Sequence, residues 1–136
     1  MKKILFPALL VLAVIFISGC GSSTSSELKS IVVRNLKAAQ AEKIDDYLKD
    51  IDEGLAVTMR PVMLQIFKTY DLEYKLISFK LLSSTDTTAE VEVEQETKKI
   101  SGPAFQNNRT TAVHTFTKRP SGWKFTATKL KAMKVI

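Results

Sequence analysis

The chain has very little of the residues that staple small exported domains or bind metals. Of its 136 residues one is cysteine, Cys20, and one is histidine, His114. A single cysteine excludes an internal disulfide, so a hydrophobic core has to hold the fold. One cysteine and one histidine also fall short of the four convergent ligands of a structural zinc site. Glycine and proline, five and four in number, are too few for a low-complexity or collagen-like chain. There is no Gly-x-Ser-x-Gly elbow and no glycine-rich phosphate loop, which removes the common hydrolase and nucleotide signatures. The longest apolar run, Ile4 to Ile17, is shorter than the about 20 residues that span a bilayer, and Pro7 interrupts its helix potential. The net charge of +6, which becomes +4 without Lys2 and Lys3, is spread among interspersed acids and bases. It reads as a solvated basic surface with at most a weak pull toward anionic lipid or wall polymer. With no nucleic-acid motif, a nucleic-acid partner is not expected.

What is present begins with an address. Lys2 and Lys3, the apolar run and small residues behind it have the three parts of a secretory signal peptide. The run ends in Ile17-Ser18-Gly19-Cys20, which resembles the lipobox of bacterial lipoproteins. A buried thiol is the plainer reading of a lone cysteine, but glycine on both sides and the following serine-threonine run cannot form a core. The resemblance implies that Ile17, Ser18 and Gly19 are read by the lipoprotein signal peptidase. It also implies a diacylglyceryl group on the Cys20 thiol, and cleavage that leaves Cys20 as an acylated first residue. Two or more acyl chains anchor a protein stably where one binds marginally. The expected organisation is a signal peptide over 1–19, the lipidated cysteine and a flexible tether over 20–26, and one domain over 27–136. The protein would be held by lipid on the outer side of the cytoplasmic membrane, with no cofactor beyond the covalent lipid.

Within the domain, helices come first. Leu28, Ile31, Val32, Leu36 and Ala39 recur at helical spacing, with Ser25 or Ser26 available as a cap. The phase is lost around Gln40 to Lys43. A second stripe, Ile44, Tyr47, Leu48 and Ile51, is closed by Gly54. A third runs from Leu55 to Tyr70 and contains Pro61, which predicts a helix start near Thr58. From Asp71 the period becomes two. Phe79 set against Val91 places Leu81 by Ala89 and Ile77 by Val93 on one apolar face, with Lys80 by Glu90 on the other. Arg119-Pro120-Ser121-Gly122 marks a second hairpin. Its tryptophan face, with Val113, Thr115, Thr117, Trp123, Phe125 and Ala127, is the expected core side. Ala112, His114, Phe116, Thr126 and Leu130 are expected to face away.

Three helices and four antiparallel strands predict an α+β domain, with N-terminal helices packed on a strongly bent four-stranded antiparallel sheet. The stretches LKAAQAEKIDDYL, YKLISFKLLSSTDTTAEVEVEQE and KRPSGWKFTATKL resemble the nuclear transport factor two-like superfamily, which shares the cystatin-like cone. The short strand or hairpin usual there between the second and third helices is not evident in DEGLAVTM. Enzymes of that superfamily place an aspartate, histidine or tyrosine inside the cone. His114, assigned to the outer face beside Phe116, reads as a structural histidine, and Glu90, Glu92, Glu94 and Glu96 read as the solvated face of a strand. No catalytic or metal-ligating set is expected. Tyr47, Met63, Phe67, Tyr70, Phe79, Trp123 and Phe125 are the candidates to line a ligand pocket, although such stripes are usually core. The sequence favours a non-enzymatic interaction module that contacts another envelope protein or a second copy through the sheet face with His114, Phe116 and Leu130. A cone that binds a small apolar ligand is the alternative, and it needs a cavity of at least about 300 Å³. Isomerase or dehydratase chemistry ranks behind both.

Overall fold

The computed structural model describes residues 19–136, with side chains from Ser23 onward. Residues 1–18, which include Ile17 and Ser18 of the expected signal peptide, lie outside the described residues, and Gly19 and Cys20 are described in backbone only. Helix α1, Gly19–Gln40, buries the expected stripe: Leu28 is fully buried, and Ile31, Val32 and Ala39 nearly so. Its start differs from expectation. Residues 21–26, expected as a flexible tether, form helical turns. They contain no proline, and the run is tied to the next turn of the helix where Ser30 Oγ donates to the Ser26 carbonyl at 3.0 Å.

The helix ends where the apolar phase is lost. Glu42 adopts a left-handed φ of 58°, and Lys43 N donates to the Ala38 carbonyl while Glu42 N donates to that of Ala39. This is a Schellman closure with glutamate in place of the usual glycine. Helix α2, Ile44–Leu48, buries Tyr47 and Leu48. It stops short of Ile51, because Ile51 forms a parallel β-bridge with Phe125. Phe125 N donates to the Asp50 carbonyl at 2.8 Å and Asp52 N to the Phe125 carbonyl at 2.9 Å. The strand missing from the DEGLAVTM segment is thus reduced to one bridged residue just before it. Gly54 does not end α2; it lies in the first turn of α3, Glu53–Thr69.

Pro61 sits inside α3 rather than in its first turn. The hydrogen bond it removes would have gone to Val57, which is 73 % exposed, so water can take the freed carbonyl. Met63 is buried and Ile66 and Phe67 pack partly against the core, while Val62 of the same stripe is 56 % exposed.

Strands β1, Asp71–Ser84, β2, Thr88–Ser101, β3, Asn108–Arg119, and β4, Gly122–Val135, form one antiparallel meander in the order β1-β2-β3-β4. The parity of the first hairpin is as expected, and its register is two residues away. Phe79 faces Val93, Leu81 faces Val91 and Lys80 faces Glu92. The loop is residues 85–87, closed by hydrogen bonds between Thr85 and Thr88. Bulges between Leu76 and Ser78 and between Leu81 and Ser83 then shift the pairing further. Such bulges bend a sheet and sharpen its twist, and here they help curl it over the helices.

The inner face carries Ala89, Val91, Val93 and Phe116, each at most 1 % exposed, against Leu28, Ile31 and Val32 of α1. Burying each large side chain contributes about 1.5–3 kcal/mol. On the outer face the glutamates of β2 meet cations: Lys131 reaches Glu92 at 2.7 Å and Arg109 reaches Glu96 at 2.8 Å. The helical layer is locked by Arg34 of α1, whose Nε and Nη2 grip the buried carboxylate of Asp50 at 2.6 and 2.5 Å.

Candidate functional site

The second hairpin decides where the one histidine goes. Its turn leaves two residues, Pro120 and Ser121, between the paired Arg119 and Gly122. That count sets Phe116 opposite Phe125 and Lys118 opposite Trp123, so even-numbered positions of β3 share a face with odd-numbered positions of β4. The expected faces, odd with odd, are therefore wrong at the turn. A bulge between Thr115 and Phe116 then skips Thr126, after which His114 faces Thr128 and Ala112 faces Leu130. Phe116, His114 and Ala112 consequently point to the concave side, and Val113, Thr115 and Thr117 to the outer side. The face with His114, Phe116 and Leu130 is not an open dimer surface; Phe116 is fully buried in the core.

This arrangement surrounds a cavity of about 430 Å³ inside the cone. α1 contributes Asn35, Leu36 and Ala39, α2 contributes Tyr47, and α3 contributes Leu55, Met59, Met63 and Ile66. From the sheet come Tyr74 and Gln95, then Thr110, Ala112 and His114, and finally Phe125, Thr128 and Leu130. Leu130, 57 % exposed, belongs to the rim. No aspartate, glutamate, lysine or arginine lines this space.

His114 is fixed from two directions. Its Nδ1 lies 2.8 Å from Thr128 Oγ1, and its ring stands edge-on to Phe125 with centroids 5.2 Å apart. Phe125 in turn packs on Phe116 at 4.3 Å. Burial lowers the His114 pKa to about 4, so the imidazole is neutral at pH 7. Burial, reinforced by Tyr74, pushes the Tyr47 phenol up to about 12, and burial also raises that of Tyr74. Every titratable group of the wall is thus uncharged near neutrality. The polar groups that face a ligand are two phenols, an imidazole with Nε2 as its second polar atom, amides and threonine hydroxyls.

Of the pocket candidates read from the sequence, Tyr47, Met63 and Phe125 line the cavity. Phe67 stands behind Tyr47, edge-on at 6.3 Å, and Tyr70 packs against Phe105 at 5.4 Å. Phe79 packs into the core beside Val93, and Trp123 is buried toward the hairpin turn with Lys118 over its ring. Tyr74, Asn35, Gln95, Thr110 and Thr128 were not anticipated as wall residues. Counting the two-residue turn strictly would have placed His114 inside. The threonines and amides carry no such signal, because in sequence they look like any solvated strand residue.

Likeness to other proteins agrees with this architecture. The family described as "Anti-sigma-I factor RsgI9, C-terminal domain" matches residues 30–136. No curated protein matches the chain. Among solved structures, an NTF2-like protein of unknown function from Pseudomonas putida KT2440 superposes with a TM-score of 0.69 at 10% identity, over 82% of this chain and 87% of that one. An NTF2-like protein with a cystatin-like fold from Novosphingobium aromaticivorans gives 0.63 at 10% identity, over 81% and 82%. A second protein from that organism, provisionally described as an aromatic ring hydroxylase, gives 0.73 at 13% identity, over 86% and 96%. At such identities the likeness establishes the fold: an NTF2-like, cystatin-like α+β cone.

Proposed function

The chain belongs to the family of the C-terminal domain of anti-sigma-I factor RsgI9, and from that premise we propose a lipid-anchored, non-enzymatic binding domain of the cell envelope whose cone takes a small, uncharged, largely apolar ligand. The observation that carries the binding role is the cavity of about 430 Å³, apolar on most of its surface and without a charged wall residue. A charged ligand would lose its hydration in such a space and gain no counter-charge. An apolar one with one or two hydrogen-bonding groups would lose little and find phenol, imidazole and hydroxyl partners. For acid-base chemistry His114 has a threonine hydroxyl as its partner where a carboxylate would raise its basicity. The anchor rests on Ile17-Ser18-Gly19-Cys20.

Two experiments test the two halves. An uncharged fluorescent probe such as N-phenylnaphthylamine should bind the full chain, and Ala112→Trp, which fills the cavity from β3, should abolish that binding while the far-ultraviolet circular dichroism is unchanged. Equal binding by both proteins would remove the cavity from the proposal. In cells fed labelled palmitate, Cys20→Ala should lose the label and remain uncleaved after Gly19. A variant processed and labelled like the wild type would remove the anchor.

A further inference from the structure

We propose that the outer face of α1 and the adjoining α1–α2 corner form a docking surface for an anionic lipid bilayer. The face opposite the buried stripe of α1 presents Ser26, Lys29, Ser30, Val33, Arg34 and Lys37, all within about 140° of the helix circumference. Beyond the Schellman turn it continues into a shallow depression with Lys37, Lys43 and Lys49, where Asp46 is the one acid of the lining. Lys29, Lys37, Lys43 and Lys49 are exposed and enter none of the ion pairs among the described residues. The outer face of the sheet is different, since its cations are interleaved with Glu92, Glu94 and Glu96 and several are paired to them. Unpaired lysines among the described residues, such as Lys75 and Lys80, also stand on the sheet, but there they alternate with glutamates, whereas the α1 side has few acids among its lysines.

A lipid surface fits this patch better than a small anion does. The lysines are spread rather than convergent, with Lys29 and Lys37 about 12 Å apart along the axis. Such spacing matches a carpet of headgroups and cannot chelate one phosphate. Nearness follows from the helix: α1 is continuous from Gly19, which places Lys29 about 13 Å along the axis from Cys20. This part rests on the lipid-anchor reading. At physiological salt a surface charge acts over about 8 Å, so an anchor that holds the domain at the membrane keeps the patch within its range. Each lysine at an anionic surface is worth about fivefold in local partition, and four lysines offset by Asp46 and by Glu27 at the edge of the face give about twenty-five-fold.

The test is lysine footprinting of the full chain inserted into preformed vesicles of phosphatidylcholine alone or mixed with phosphatidylglycerol. Acylation of Lys29, Lys37, Lys43 and Lys49 should slow several-fold in the anionic vesicles only and recover in concentrated salt. Lys75 and Lys80, on the outer face of the sheet, should keep their rates. The variant Lys37→Glu with Lys43→Glu, both exposed positions, should lose the slowing at Lys29 and Lys49. Equal rates in the two compositions, or equal slowing of Lys75 and Lys80, overturns the proposal. Slowing by a soluble anionic wall polymer on phosphatidylcholine vesicles, with none from phosphatidylglycerol, also overturns it. The mass of the Cys20 peptide in the same digest reports the anchor separately. Slowed lysines beside an unmodified Cys20 would refute the anchor and support the surface.

Discussion

Replacing His114 by glutamine should remove an acid-sensitive part of the stability of this fold. In the folded state burial holds the imidazole near a pKa of about 4, against the ordinary 6.5. Above pH 6.5 the ring is neutral folded and unfolded, and the wild type has its full stability. As pH falls below 6.5 the unfolded chain takes a proton that the folded ring refuses, so stability is lost progressively until the folded ring also titrates near 4. A difference of about 2.5 units corresponds to about 3 kcal/mol in total, of which about 2 kcal/mol is lost by pH 5. No carboxylate lines the cavity to offset this; Phe125 and Thr128 contact the ring, and the other titratable groups of the wall are the neutral phenols of Tyr47 and Tyr74. Glutamine keeps a hydrogen-bonding partner for Thr128 and does not titrate. Urea unfolding followed by Trp123 fluorescence between pH 7 and pH 5 gives the comparison. Carboxylates elsewhere titrate alike in both proteins and cancel in the difference. The gap in unfolding free energy should shift by about 2 kcal/mol in favour of the variant as the pH drops. Parallel pH profiles would show that His114 is solvated, and the inward assignment of β3 would fall with it.

Three further outcomes follow from particular contacts. Arg34→Ala strips the partner from a carboxylate that is 2 % exposed and should cost about 2–3 kcal/mol, less than the about 3–5 kcal/mol of a fully buried pair because Arg34 is itself half-exposed. Thermal melting should register it as a fall of roughly 10 °C, Arg34→Lys should recover only part of it, and a change below about 0.5 kcal/mol would deny the pair its role. Phe116→Ala, at a fully buried position between Ala89 and Phe125, should lose about 3–5 kcal/mol in chemical unfolding, and a loss under about 1 kcal/mol would mean that the core lies elsewhere. Gly122 and Gly102 both have strongly positive φ, 117° and 123°, but only Gly102 is crowded, with an added Cβ 2.8 Å from the Thr69 carbonyl oxygen. Gly122→Ala should cost about 1–2 kcal/mol and Gly102→Ala clearly more, and the reverse order in parallel melts would contradict the packing of β2's end against α3.

The sequence by itself determined the class of fold and the composition of its layers. Helical and alternating periods are local properties, each legible in a dozen residues, so Leu28, Ile31 and Val32 of α1 and Val91 and Val93 of β2 were identifiable as inward-facing. The loss of phase at Gln40 to Lys43 and the turn at Pro120 were legible for the same reason. Pro61 and Gly54 misled, because a helix break or stop is a tendency that an exposed carbonyl or a bridge at Ile51 can override. Register was beyond the sequence, since two bulges in the first hairpin change pairing without changing the alternation of residue types. The direction of His114 hangs on the residue count of one turn, which pattern alone left open, and the skipping of Thr126, visible only in the folded sheet, sets Thr128 opposite it. With that one choice the concave face gains its histidine, the supposed dimer face becomes core, and the cone acquires an uncharged cavity. The resemblance of Ile17 to Cys20 to a lipobox, by contrast, is a linear pattern that needs no fold to be read.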